Sequence, residues 1–229
     1  MTNLRVRYGK IQRKDRTEGG RAVGKVEQKI RINTVVVGYL ETNCYLIGDD
    51  KGDAVVIDPG GNPDRILLEI DKNFYRSFCI LITHGHSDHI SGLEGVLRHW
   101  QIPVFMHWKE LDFLRIPKTK VSRFRGIIPS EAGYYALEDG DVIGRNGWEI
   151  NVIFTPGHTP GGVCYRLGDV VFTGDTLFQD GVGRSDFEGG DEGALMRSIT
   201  ERLLVLEDHT KIYPGHGPSS TIGRERGYF

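Results

Sequence analysis

Cysteines and long apolar runs are both scarce in this sequence. The 229 residues include three cysteines, Cys44, Cys79 and Cys164, and each stands alone in an apolar stretch. An odd, scattered set does not form a disulfide framework and is typical of reduced thiols in a core. No apolar run approaches the roughly 18 residues that a membrane-spanning helix needs, and the first residues lack the apolar centre of a secretory signal. We therefore predict a cytoplasmic protein without a membrane partner.

Net charge is also nearly absent, at −2 for the whole chain, which offers no general reason to bind nucleic acid. The charge is unevenly spread, because residues 1–29 carry nine Lys or Arg and three acids while the remainder is net acidic. We interpret residues 1–29 as a basic N-terminal extension that forms a solvated arm or edge strand. A targeting or anion-binding arm is the alternative. Residues 30–229 are long enough for one domain with a large core.

Short β-type stretches alternate with helical ones along residues 30–229. Strands are predicted over residues 30–37, 44–47, 54–57, 78–83, 148–154 and 163–167. Helical spacing covers residues 63–74 and 192–207, and Ser87 is predicted to cap a helix that runs through Leu97. Two successive blocks of strands and helices predict a layered α/β domain with packed sheets.

Four possible metal ligands lie within six residues, directly after a predicted strand. They are His84, His86, Asp88 and His89. In an extended segment, side chains two residues apart point the same way, so the first three can converge. Imidazole and carboxylate groups are ligands that zinc and iron accept at catalytic sites.

Three later segments repeat one arrangement, in which a strand ends at a glycine and a polar residue follows. They are Gly157-His158, Gly174-Asp175 and Gly215-His216. Ligands of α/β sheets collect beyond strand ends, and glycine allows the sharp turn needed there. Each residue alone could be a turn or capping residue. Four such places in one chain favour a metal site, and seven ligands with one bridging carboxylate suffice for two metals.

The His-x-His-x-Asp-His run, followed by His158, Asp175 and His216, resembles the metallo-β-lactamase superfamily. The resemblance covers nearly everything from residue 30 to the C-terminus. It implies an αββα sandwich, in which two mixed sheets are flanked by helices, with the site at one sheet edge. It also implies two divalent metals: His84, His86 and His158 for the first, Asp88, His89 and His216 for the second, and Asp175 as the bridge. Zinc is the expected metal, with iron or manganese as alternatives.

Several segments are similar to the glyoxalase II branch, the hydroxyacylglutathione hydrolases, in a small single-domain form. They are Thr42-Asn43-Cys44-Tyr45-Leu46, residues 57–60, 174–178 and 183–186, and Gly215-His216-Gly217-Pro218. This similarity implies hydrolysis of a thioester or related acyl substrate by a metal-bound hydroxide. A dinuclear β-lactamase usually has cysteine where Asp175 stands, which argues against that activity. Only residues 219–229 follow the segment Gly215-His216-Gly217-Pro218 that holds the last ligand, whereas glyoxalase II carries a C-terminal helical domain, so glutathione specificity stays open.

The resemblance also suggests roles for three further groups. Asp88 is expected to orient the nucleophile while it binds metal, which makes it the catalytic residue. Asp58 is expected either to hydrogen-bond a metal-bound histidine or simply to form the Asp-Pro-Gly turn. Arg184 could reach a substrate carboxylate, or could pair with Asp186 in a surface loop.

Two other enzyme classes share this fold. A persulfide dioxygenase would use one iron ion, held by His84, His158 and Asp175, and the motif alone does not exclude it. A nuclease of the tRNA-processing type is disfavoured, because the chain has no long insertion to grip RNA and its body is acidic. The expected partner is a small-molecule substrate and not a nucleic acid. A monomer and a homodimer both remain open.

Overall fold

The computed structural model describes residues 11–12, 30–115, 133–145 and 148–229. Apart from Ile11–Gln12 (β1), the basic segment predicted over residues 1–29 lies outside the described residues. In the described part, two mixed β-sheets pack face to face and helices cover both outer faces. The αββα architecture is therefore confirmed.

The first sheet contains six strands, and the pairing changes from antiparallel to parallel at the third strand. In spatial order its strands are β2 (Arg31–Val37), β3 (Thr42–Gly48), β4 (Asp53–Ile57), β5 (Arg76–Leu81), β6 (Val104–His107) and β7 (Tyr134–Leu137). Strands β2, β3 and β4 pair antiparallel, whereas β4 to β7 pair parallel. Parallel neighbours need long crossover connections, and the helices of this half lie in those connections.

The second sheet begins at β1 and contains seven strands. After β1 its spatial order is β8 (Val142–Arg145), β9 (Trp148–Phe154), β10 (Val163–Leu167), β11 (Val170–Gly174), β14 (Lys211–Pro214) and β15 (Ser220–Thr221). Strands β11 and β14 pair parallel, and all other neighbours pair antiparallel. A separate small hairpin is formed by β12 (Leu177–Phe178) and β13 (Gly181–Val182).

The helices cover the outer faces of the two sheets. They are α1 (Pro63–Lys72), α2 (Ser87–Ile90), α3 (Leu93–His99), α4 (Trp108–Arg115), α5 (Glu192–Arg197) and α6 (Ile222–Arg226). In α1, Ile66 and Ile70 are buried one turn apart and Pro63 occupies the first turn, where a missing N–H removes no helical bond. None of the helices in the described ranges has the length and apolarity needed to cross a bilayer.

Two helix predictions were wrong in detail. The helix expected to run from Ser87 through Leu97 is broken at Gly92, because that residue packs against the backbone of the Asp58-Pro59-Gly60 turn. A Cβ at Gly92 would lie 2.8 Å from the carbonyl oxygen of Pro59. The helix expected over residues 192–207 ends at Leu203, and its second half, Ser198–Leu203, is π-helical.

The strand directions bring the predicted site residues to one edge of the sandwich. Strands β4 and β5 are parallel, and β9 runs in the same direction as the parallel pair β11 and β14 because both β9 and β11 are antiparallel to β10. The residues that follow these strands meet at one edge of the sandwich. Asp58, His84, His158, Asp175 and His216 each follow the carboxyl end of one of these strands. The layered fold thus assembles a polar site from segments that are distant in sequence.

The core between the sheets is aromatic next to this edge. Phe172 is fully buried and packs against Tyr45 and Tyr213, with ring centroids 5.1 and 5.3 Å away. The hydroxyl of Tyr45 donates a hydrogen bond of 2.5 Å to the carbonyl oxygen of Pro214. The apolar contact between the sheets therefore extends almost to the residues of the site.

Replacing Phe172 with Ala should lower the free energy of unfolding by about 3–5 kcal/mol, because it opens a cavity between the two sheets. Urea denaturation followed by tryptophan fluorescence measures the change. Phe74→Ala is the control, since that ring is 86% exposed and its loss should change stability by no more than about 0.5 kcal/mol. Equal midpoints for the two variants would show that the inter-sheet core does not determine stability.

Candidate metal centre

Three imidazoles meet at the ends of β5 and β9, and we call His84, His86 and His158 the first triad. One ring nitrogen from each lies within 4.8 Å of the others. The Nδ1 of His86 and the Nε2 of His158 are 2.9 Å apart. His86 follows His84 in extended conformation, so these two side chains approach from one side while His158 approaches from the opposite sheet. Asp88 lies in the first turn of α2 and belongs to a different group of ligands.

A second group lies beside the first, and we call Asp88, His89 and His216 the second triad. Its three ligand atoms also lie within 4.8 Å of one another. The Nε2 of His216 is 3.1 Å from Asp88 Oδ2 and 3.4 Å from His89 Nε2. The first two residues belong to α2, whereas His216 comes from the turn after β14.

Asp175 stands between the two triads. Its Oδ1 lies 3.3 Å from the Nε2 of His89. Its Oδ2 lies 3.6 Å from the Nε2 atoms of both His158 and His216, and 4.0 Å from that of His84. The carboxylate therefore faces donor atoms of both groups, as a bridging ligand would.

The donor set fits metal ions. Zinc–nitrogen bonds of about 2.0–2.1 Å in a tetrahedral site place neighbouring ligand atoms about 3.3 Å apart, and the separations here run from 2.9 to 4.0 Å. The Nε2 of His84 and the Oδ1 of Asp175 are buried and have no hydrogen-bond partner. Buried polar atoms normally have a partner, so these two atoms point to an ion.

The ionisation states of His84, His86 and the two carboxylates also suit ligands. At His89 and His216, burial opposes protonation, but the nearby carboxylates outweigh it and raise the pKa of each ring. Burial lowers the pKa of His84 well below its ordinary value, with further lowering by the neighbouring imidazoles, and lowers that of His86 to about 4. Both rings are therefore neutral near pH 7 and can coordinate. Burial opposes ionisation of Asp88 and Asp175, but the adjacent imidazoles outweigh it and hold the pKa of each carboxyl below its usual range.

Asp58 hydrogen-bonds the ring nitrogen of His89 that faces away from the site. Its Oδ2 accepts hydrogen bonds from the Thr83 hydroxyl at 2.6 Å and from the Nδ1 of His89 at 2.9 Å, and its Oδ1 accepts from the Thr83 backbone N–H at 2.8 Å. Since Nδ1 of His89 carries the proton, its Nε2 is free to face the site. Asp58 also adopts a left-handed backbone with φ 50°, so both alternatives considered for it, turn residue and histidine partner, occur together.

Protein oxygens orient three more imidazoles in the same way. The Nδ1 of His158 donates to the carbonyl oxygen of Arg184 at 2.6 Å, and the Nδ1 of His216 donates to that of Leu40 at 2.9 Å. The Thr83 hydroxyl gives its proton to Asp58, so the Nδ1 of His84 donates to it at 3.0 Å. Each ring consequently presents Nε2 to the centre.

Arg184 contributes its backbone to the site, and its side chain is exposed. The guanidinium forms two hydrogen bonds with Asp186, at 2.9 and 2.7 Å. It also lies 4.2 Å from the centre of the Phe187 ring, which in turn contacts the edge of His86. The pairing with Asp186 was one of the two alternatives predicted from the sequence, and the hydrogen bond to His158 was not predicted.

Two residues at the site were missed in the sequence. The side chain of Asn43 donates to the carbonyl oxygens of Pro214 and Gly217, at 3.0 and 2.8 Å, and so clamps the turn that carries His216. Glu110 is fully buried and accepts hydrogen bonds from loops on both sides of the first triad. A lone Asn in a strand and a Glu on a helix carry no local signal of such contacts.

Comparison with known proteins identifies the family. The model of the metallo-beta-lactamase superfamily matches residues 37–216, and the chain belongs to that superfamily. Among curated relatives, the probable metallo-hydrolase YqgX of Bacillus subtilis is 37% identical, covering 83% of this chain and 92% of the relative. Hydroxyacylglutathione hydrolase GloC of Haemophilus influenzae is 33% identical, covering 86% and 95%. The family and these names indicate a metal-dependent hydrolase.

Solved structures agree on the fold. The BLEG-1 B3 metallo-beta-lactamase superposes with a TM-score of 0.79 at 32% identity, covering 86% of this chain and 97% of that one. The protein TTHA1623, in a di-iron-bound form, superposes with a TM-score of 0.74 at 34% identity, covering 85% and 96%. The second of these proteins was solved with two iron ions bound.

Replacing Asp175 with Ala should remove metal from both triads, because this carboxylate faces both. Elemental analysis of the purified variant gives the number of metal ions per chain. Asp169→Ala is the matched control, since Asp169 is exposed and lies before β11, the strand that Asp175 follows. Two metals still bound to the Asp175 variant would contradict a bridging role.

Proposed function

We propose that this protein is a dinuclear metal-dependent hydrolase that cleaves a small-molecule thioester, as hydroxyacylglutathione hydrolases do. The observation that carries the proposal is the pair of triads joined by Asp175. In this assignment, His84, His86 and His158 hold the first metal, Asp88, His89 and His216 hold the second, and Asp175 binds both. Asp58 acts on the second metal through its hydrogen bond to His89.

Two bound metal ions would supply a nucleophile at neutral pH by lowering the pKa of water, and would polarise the carbonyl of the substrate. The chain positions the reactants around them. Asp88 is the proposed catalytic residue, since its side chain is 16% exposed and thus reaches the open side of the site. Its Oδ2 is held by His216 at 3.1 Å and by the Thr42 hydroxyl at 3.3 Å. An ionised carboxylate fixed in this way can accept a hydrogen bond from the attacking water and orient it.

The thioester substrate is supported by the similarity to GloC, whose name specifies hydroxyacylglutathione. Side chains next to the triads offer an apolar surface for an acyl group, because Phe187 contacts His86 and Phe178 contacts His216. The side chain of Arg184 is 64% exposed at this rim, where it could bind a substrate carboxylate if it exchanged its pairing with Asp186. Glutathione itself is not required by any of these contacts.

Zinc is the metal we propose, and iron is supported by the di-iron form of TTHA1623. Imidazole and carboxylate ligands accept zinc, iron and manganese. The three cysteines are buried and free, which supports the proposed cytoplasmic location.

A mononuclear iron dioxygenase would use only His84, His158 and Asp175. The contacts of Asp175 with these two histidines allow it, at 4.0 and 3.6 Å. The second triad argues against it, because Asp88, His89 and His216 would then stand together without an ion to hold. Metal stoichiometry separates the two activities.

The first experiment is elemental analysis of protein purified without added metal or chelator, followed by assays with S-lactoylglutathione, other acyl thioesters and a chromogenic β-lactam. We expect about two metals per chain and turnover of thioesters. One iron per chain, with oxygen uptake on glutathione persulfide, would replace the proposal with the dioxygenase. Turnover of the β-lactam alone would replace it with a β-lactamase.

Replacing Asp88 with Asn should leave the first metal bound and lower kcat about 100-fold or more, because a neutral amide does not attract and orient the attacking water as the carboxylate does. Steady-state kinetics on the best thioester and metal analysis of the same sample measure the two effects. Asp71→Asn, on the exposed end of α1, serves as the control and should behave as the parent chain. Unchanged turnover of the Asp88 variant would remove this residue from the mechanism.

A further inference from the structure

We infer that Glu110 is a positioning residue that sets the geometry of the first triad by tying together the two loops that carry its histidines. The inference rests on the proposed function only in taking His84, His86 and His158 as ligands of one metal. Glu110 lies on α4, outside every motif that marks the site in the sequence, and its side chain is fully buried.

Three hydrogen bonds connect Glu110 to the two loops. Its Oε1 accepts from the backbone N–H of Gly85 at 2.7 Å, and Gly85 is the residue between His84 and His86. Its Oε2 accepts from the hydroxyl of Thr159 at 2.9 Å and from the backbone N–H of Gly161 at 2.8 Å. Thr159 directly follows His158. One carboxylate therefore spans the space between the loop from the first sheet and the loop from the second.

The packing of α4 gives a second, independent observation. A Cβ at Gly161 would lie 2.2 Å from the backbone nitrogen of Glu110, and a Cβ at Gly85 would lie 2.7 Å from Leu114 Cδ2. The loop at Gly161 thus approaches the backbone of α4 more closely than any other residue type would allow, and Gly85 packs directly on the Leu114 side chain of the same helix. Helix α4 serves as a common support, and Glu110 fixes how far each loop stands from it.

A carboxylate suits this position better than its neutral analogue. Burial raises the pKa of Glu110 to about 7, against the effect of its three hydrogen-bond donors. All three partners donate, and above that pH the ionised carboxylate offers only acceptors. In Gln, one of the two oxygens becomes an NH2 group, which cannot accept from a backbone N–H. Glu110→Gln therefore keeps the size and packing of the side chain but breaks the connection to at least one loop.

The effect should be selective for the first triad. His89 is held by Asp58, and His216 is held by the carbonyl oxygen of Leu40. Neither contact involves α4. Loss of one arm of Glu110 should therefore change the spacing of His84, His86 and His158 while the second triad stays in place.

A purely structural role would look different, and Asp49 offers a matched control. This residue is also a buried carboxylate, and it accepts hydrogen bonds from the backbone N–H groups of Lys51 and Asp53 at 2.8 and 3.0 Å and from the indole N–H of Trp148 at 3.1 Å. It follows the carboxyl end of β3, whereas the site lies at the amino end of that strand. Asp49→Asn should lower stability without touching the metal centre.

The experiment titrates the full-length apoprotein with Co2+ and follows the visible bands of the bound ion. His216→Ala is used as the background, because it disrupts the second triad and leaves the first triad intact. We expect Glu110→Gln to weaken Co2+ binding by about tenfold or more and to change the shape of the bands. Asp49→Asn in the same background should leave the affinity and the bands unchanged, even where thermal unfolding of both apoproteins shifts equally.

Equal Co2+ affinity and equal bands for Glu110→Gln and the background would overturn the inference, as would an equal loss in Asp49→Asn. If Glu110→Gln fails to fold, Thr159→Val removes a single hydrogen bond at nearly constant shape, and the same two readouts apply.

The metal content of the parent chain separates this inference from the proposed function. One metal per parent chain with weakened binding in Glu110→Gln removes the dinuclear hydrolase and keeps the role of Glu110. Two metals per parent chain, with unchanged Co2+ binding to the first triad in Glu110→Gln, would keep the dinuclear hydrolase and remove the role of Glu110.

Discussion

The meeting of five imidazoles and two carboxylates in one small volume, where four of the rings are buried, is the constraint on which the rest of the structure depends. Such groups lose water on folding, and each must find a partner within the protein or bind an ion. The outer nitrogen of four of these rings is held by a protein oxygen, supplied by Asp58, Thr83 and the carbonyls of Leu40 and Arg184. The inner nitrogens are then left to face one another around the space where metal fits.

Two of these oxygens are backbone carbonyls in separate loops, so the orientation of the rings depends on the conformation of several loops. The turn that ends at Thr42 carries the carbonyl of Leu40, and the loop after β13 carries that of Arg184. Asn43 adds a clamp between the sheets, because its own N–H and side chain bond the turn around His216. The same few residues thus join the two sheets and complete the site.

Much of this arrangement could be predicted from the sequence, and the reason is local. The pattern of a strand end, a glycine and then a histidine or aspartate can be recognised within five residues of sequence. In an α/β fold, the carboxyl ends of such strands lie at a common edge of the sheet. The helix prediction that ran through Gly92 failed because spacing within a helix contains no information about Pro59, which packs on that glycine. Glu110 escaped notice because a glutamate on an amphipathic helix normally faces water.

The sequence by itself determined the class of fold, the strands that lead to the site and the seven residues that could bind metal, because each of these follows from short-range pattern and side-chain chemistry. Only the tertiary structure decided which ring nitrogen faces the centre, that Arg184 serves through its carbonyl oxygen, and that Glu110 ties two loops together. Most of the contacts behind those features join residues that are 25 to 176 positions apart. Such contacts exist only once both sheets and α4 have packed, and no periodicity along the chain records them.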